Sequence, residues 1–171
     1  AVWGLSSPLP GQDTSRRTLE LSVESENLEK FLSELDSLNI KTAVEKSPSW
    51  FKKSVEESQV SNMYVPLLKP PSKEGAKSTV RVKVKCGDYP TNIYVVQEES
   101  GGTLTYNKGC PEDLSRNAKC MVMVETVGLW FMSRQFGMSL TATEILVWPN
   151  KRATGIAVSY THLRAHETFG Y

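Results

Sequence analysis

Two histidines, His162 and His166, stand four residues apart near the end of the 171-residue sequence. On a helix that spacing puts both imidazoles on one face, which is how a metal site begins. A tetrahedral site needs further ligands from Cys, Asp or Glu. Glu167 is adjacent but points to another face, and the segment has no apolar stripe to dock it. The three cysteines, Cys86, Cys110 and Cys120, are too far apart for the close pairs of a zinc finger. Their odd number fits a reducing compartment better than a disulfide scaffold. There is no histidine before His162, which removes Ser-His-Asp and Cys-His catalysis from that stretch. No close group of carboxylates stands out either. The expectation is a protein with no metal, no cofactor and no enzymatic activity.

The remaining chemistry is recognition of phosphate and bases. In "VRVKVK" the valines Val80, Val82 and Val84 alternate with Arg81, Lys83 and Lys85. Three cations in a row on one strand face can follow a phosphate backbone. The same row would also suit a sheet edge, where lysines discourage pairing with another chain, and the sequence leaves both readings open. Aromatic residues lie among other cations. Trp50 and Phe51 precede Lys52 and Lys53, Tyr94 and Tyr106 accompany Lys108, and Trp130, Phe131 and Phe136 surround Arg134. Single strands are held by cations on the phosphates and by aromatic faces on the bases. Core packing is the competing reading for these rings and the better one for Trp50 and Phe136. Neighbours on a strand point to opposite faces. Phe131, which shares a face with Leu129, is therefore expected inside and Trp130 outside.

Several elements must position these groups. Hydrophobic residues make up 39% and charged residues 23%, with a net charge of +1, so a soluble globular domain is expected. No apolar run is long enough to span a bilayer, and no secretory signal is visible. Residues 1–17 read as a flexible leader. Thr18–Glu24 alternates as a half-buried strand. A helix follows, capped by Ser25, with Leu28, Phe31, Leu32, Leu35 and Leu38 as its core-facing stripe. Ser47 and Pro48 are expected to cap and begin a second helix. The helical insertion covers about 25–65 of a domain spanning 18–157, and strands dominate from Thr79 onward.

Two resemblances complete the reading. "VSYTHLRAHET" resembles one reading frame of a transposase-based sequencing-library adapter, a contaminant of metagenomic sequence. Residues 158–171 are therefore expected to be an artefact and the natural chain to end near Ala157. "SWFKKSVEESQVSNMYVPLLK", "VRVKVK" and "GLWFMSRQFGMSLTATEILVWP" together resemble a family encoded by large nucleo-cytoplasmic DNA viruses, itself similar to OB-fold single-stranded DNA-binding proteins. The resemblance runs from about Leu19 to Asn150. With the strand pattern, it implies an α+β fold: an OB-like antiparallel β-barrel of about five strands, with helices inserted after the first. It further implies sequence-tolerant binding of single-stranded DNA in viral replication or recombination, with viral replication proteins as partners. The setting would be intracellular, in the host nucleus or a cytoplasmic viral factory. Arg81, Lys83, Lys85, Lys108, Arg134, Lys151 and Arg152 would contact phosphate, and Tyr94, Tyr106 and Trp130 would stack bases. The alternative is a protein-interaction or virion structural subunit on the same barrel, without nucleic-acid binding.

Overall fold

A computed structural model describes residues 1–150. The elements run β1 (Arg16–Ser22), α1 (Glu26–Trp50), α2 (Glu57–Met63), β2 (Tyr64–Val65), β3 (Leu68–Lys69), β4 (Thr79–Lys85), β5 (Asn92–Glu98), β6 (Leu104–Lys108), β7 (Lys119–Phe131) and β8 (Phe136–Trp148). The eight strands form one mixed sheet in the order β1-β4-β8-β5-β6, with β2 and β7 also paired to β8 and β3 to β4. β2 and β5 run parallel to β8, whereas β3/β4 and β5/β6 are antiparallel.

This corrects the expected OB-like antiparallel barrel of about five strands. A barrel needs its first and last strands to pair, but here β1 and β6 end the path and the sheet stays open. The helices do follow the first strand. β2 and β3, two residues each, lie in a stretch whose sequence reads as the end of the helical part, so they add strands that the pattern does not announce. Pairing direction was missed because alternation reveals which residues share a face and not which way the neighbouring strand runs.

The described chain forms two compact units. One comprises Ala1–Leu19, Val84–Met123 and the chain from Ala142; the other comprises Glu20–Lys83 and Val124–Thr141. In the second unit, Ser25 caps α1 by accepting the Leu28 N–H at 3.4 Å, and Glu26 and Glu29 sit at the positive end of the helix dipole. The buried face of α1 is Leu32, Asp36, Asn39, Ala43 and Ser47. The expected core stripe instead lies largely open, with Leu28, Phe31 and Leu38 exposed by 43, 59 and 58%. A carboxylate belongs on the inward face because backbone donors wait there. Asp36 accepts from the Tyr64 hydroxyl at 2.6 Å and from the N–H groups of Leu67 and Leu68 at 2.9 and 3.1 Å. Asn39 donates to the Tyr64 hydroxyl from the other side, at 3.0 Å.

The expected helix break at Ser47 does not occur, and α1 continues through Pro48 to Trp50. A proline in a last turn strands the carbonyl four residues back. Here the Ser47 hydroxyl donates to that carbonyl, Val44 O, at 2.8 Å and accepts from the Val55 N–H at 3.0 Å. Below α1, Ala43, Val55, Val60, Tyr64 and Phe136 form a core flanked by Trp50 and Phe51.

In the first unit the leader carries contacts. Leu5 bridges Leu19, the Leu5 N–H donates to Leu114 O at 3.0 Å, and the Ala1 ammonium donates to Ala118 O at 2.6 Å. The core there includes Leu19, Val84, Ile93, Val96, Ile145 and Val147.

Candidate nucleic-acid interface

Strand pairing in the first unit brings three of the candidate residues together. Tyr94 stands directly opposite Lys108 across β5–β6, and Val96 stands opposite Tyr106. Side chains alternate along a strand, so Tyr94, Tyr106 and Lys108 share one face. On its other side, Tyr94 faces Leu146 of β8. One transverse row therefore runs Lys108–Tyr94–Leu146 across three strands. Ile93 and Val95 point to the opposite face, where they close on Gly109.

Above this row lies a cleft of about 320 Å³, lined by Tyr94, Tyr106, Met121, Met123, Glu144 and Leu146. Small-molecule sites typically measure ~300–1,000 Å³, so the cleft lies at the small end of that range. Its walls are apolar and open to solvent. Met121, Met123 and Tyr106 are exposed by 63, 62 and 56%. Glu144 supplies the charged group of the lining. At the far end of β8, Lys119 sits over the Trp148 ring, 5.5 Å from its centre, a cation–π pair that leaves the ammonium near an aromatic face.

The other candidates fall elsewhere. Lys85 is half-buried in the first unit, where its N–H donates to the Thr91 hydroxyl at 3.0 Å. Arg81, Lys83, Trp130 and Arg134 belong to the second unit. Arg81 is exposed and reaches the half-buried Glu20 at 3.4 Å, which holds its guanidinium against the sheet. β4 lies between β1 and β8 in the sheet path, so its cations do not guard an edge. Lys151 and Arg152, like His162, His166 and the adapter-like tail, lie outside the described residues.

Most of the remaining rings pack together in the second unit. Phe131 stacks on Phe136, with centres 5.7 Å apart and planes 10° from parallel, and meets Trp50 and Phe51 edge-on. Phe131 keeps its outer side exposed. Trp130 is half-buried and lies against Gly137. The aromatic platform of the first unit is thus the tyrosine pair, with Trp148 beside Lys119.

Met121, Met123, Glu144 and Leu146 were not candidates from sequence. β7 is apolar at successive positions from Cys120 to Val124, which hides the alternation that would reveal its outward methionines. β8 did carry a usable signal. Ile145 and Val147 are fully buried, so Glu144 and Leu146 must point the other way.

The profile of a family of unknown function, DUF5871, matches residues 11–162. No curated protein matches the chain, and no solved structure matches it.

Proposed function

We propose, for a chain that belongs to the DUF5871 family, that it binds single-stranded DNA on the β5–β6–β8 face, by base stacking more than by charge. The observation that carries this reading is the register of Tyr94 opposite Lys108, with Tyr106 on the same face beside the cleft. Two phenol rings can each take a base, and every base has a π-face, so such a site tolerates any sequence. Lys108 at the margin suits the phosphate between the stacked bases. Glu144 excludes phosphate from the cleft itself and can accept from a base amino group. A duplex keeps its bases stacked inside and cannot offer them to this face.

Stacking on this face requires no OB-like barrel. It rests on the tyrosine face alone, and replication or recombination of viral DNA is the setting that the sequence resemblance implies. The test is an anisotropy titration with labelled oligo(dT), oligo(dC) and a duplex of equal length. Tight binding to the single strands over the duplex, weakened by Tyr94→Ala and Tyr106→Ala, is the expected result. Binding that ignores both tyrosines would sink it.

A second reading has its own observation. Two adjacent outward methionines make an adaptable apolar surface of the kind that receives protein segments. A protein-interaction subunit would bind no oligonucleotide in the same titration. It would instead lose its partner on Met121→Ser and Met123→Ser.

A further inference from the structure

We propose that α1 is a seam along which two copies of this chain pair, helix against helix and antiparallel. Leu28, Phe31, Leu35 and Leu38 recur at steps of three, four and three. Those are the a and d positions of a heptad, the spacing that one helix presents to another. The chain does not turn this seam into its own core. α1 buries Leu32, Asp36, Asn39, Ala43 and Ser47 instead, and it leaves Leu28, Phe31 and Leu38 open by 43, 59 and 58%. Core-sized apolar side chains grouped on one open face mark an interaction surface.

Charge names the partner and the register. One flank of the seam carries Leu32 and Asn39, both turned inward. The other carries Asn27, Glu34 and Lys41, all exposed. An approaching helix therefore meets a single flank, with a negative charge and then a positive one seven residues later. In an antiparallel pair, like flanks face each other, and a two-fold axis repeats every contact. Glu34 of one copy then meets Lys41 of the second, and Lys41 meets Glu34. In that register Leu35 packs against Leu38 twice and Phe31 lies over Thr42 twice, while Leu28 reaches only the stem of the exposed Glu45 at either end. Sliding by one heptad would set Glu34 against Glu34, which repels. A parallel pair would need the inward flank, which is already occupied. Lys30 holds Glu34 only loosely, at 3.9 Å with both side chains exposed, so the carboxylate can turn to a new partner.

The test is sedimentation equilibrium of the full chain across the micromolar range. The wild type should show a concentration-dependent dimer. Phe31→Asp with Leu38→Asp should be monomeric throughout. Glu34→Lys should weaken the dimer by about tenfold, because both symmetric contacts become repulsive. Combining it with Lys41→Glu should restore the wild-type constant. A wild type that stays monomeric overturns the proposal, as does a dimer indifferent to the Phe31 and Leu38 changes. Failure of the combined charge swap to restore pairing overturns the antiparallel register. If the double aspartate variant does not fold, as judged by circular dichroism, the charge variants alone decide the matter.

Discussion

The phenol of Tyr64 donates a 2.6 Å hydrogen bond to the buried carboxylate of Asp36, which also gathers the backbone N–H groups of Leu67 and Leu68. One side chain on α1 thereby satisfies the start of β2 and the approach to β3. Asp36→Ala strips three donors at once and should cost ~3 kcal/mol or more, whereas Tyr64→Phe removes one bond and should cost ~1 kcal/mol. Burial first, and then the Asp36 bond, push the Tyr64 phenol above its ordinary value. Above about pH 10 the unfolded chain releases this proton while the folded chain keeps it. The unfolded state then binds fewer protons, so stability falls as pH rises. Urea unfolding through the alkaline range should show that slope in the wild type and a flatter one in Tyr64→Phe.

Tyr94→Ala and Tyr106→Ala should each weaken binding to oligo(dT) by ~1–3 kcal/mol. Tyr106 is the more exposed of the two, so its loss should leave the melting temperature nearly unchanged. Lys108→Gln should flatten the log–log salt dependence by about 0.7, the loss of one phosphate contact on a single strand. Affinity measured at two salt concentrations checks all three variants. A slope unaltered by Lys108→Gln would take the phosphate away from that margin.

Cys110 is exposed in its loop but should react slowly. Burial of the thiol, and then the Glu112 and Asp113 carboxylates, push it up to about 11. Only the thiolate attacks, so alkylation at about pH 8 should be slower than for an unperturbed thiol by on the order of a hundredfold. Glu112→Gln should speed it. Burial also raises Cys86 and Cys120. Timed iodoacetamide labelling with mass spectrometry resolves the three sites.

Gly137 leaves no room for a side chain. A Cβ there would stand 2.8 Å from Cζ2 of Trp130 and 3.0 Å from the Val65 carbonyl oxygen. Gly137→Ala must move the indole or the strand, and should cost ~1–3 kcal/mol. Tryptophan emission should shift with it. In a Trp130→Phe background the penalty should shrink, because one of the two obstacles is smaller. A double-mutant cycle by thermal melting measures the coupling.

Particular residues explain what the sequence disclosed and what it hid. The burial of Val80, Val82 and Val84 beneath exposed Arg81 and Lys83 follows from alternation, and the start of α1 follows from the capping chemistry of Ser25. Nothing local sets Tyr94, Tyr106 and Lys108 on one face, since that depends on the register between β5 and β6. The inward face of α1 was hidden for a different reason. Periodicity assumes that the apolar stripe goes inside, and it has no knowledge of backbone donors at Leu67 and Leu68 that require a carboxylate. Pro48 looked like a helix start because its rescue depends on a single hydroxyl, that of Ser47.

β8 is the last of the eight strands in the chain, and it is the direct neighbour of β2, β4, β5 and β7. During synthesis, four strands must therefore wait for a partner that is translated after all of them. Until residue 148 has cleared the ribosome, the β1–β4–β3 and β5–β6 pieces have no strand to link them. Most of their pairings then close over long sequence separations, the kind that form slowly. The nascent protein is thus held back by its own order of emergence, with valine-rich edges exposed to proteases and to other chains in the meantime. A nascent chain stalled before β8 should be digested throughout, whereas one stalled far enough beyond Trp148 for that strand to emerge should resist.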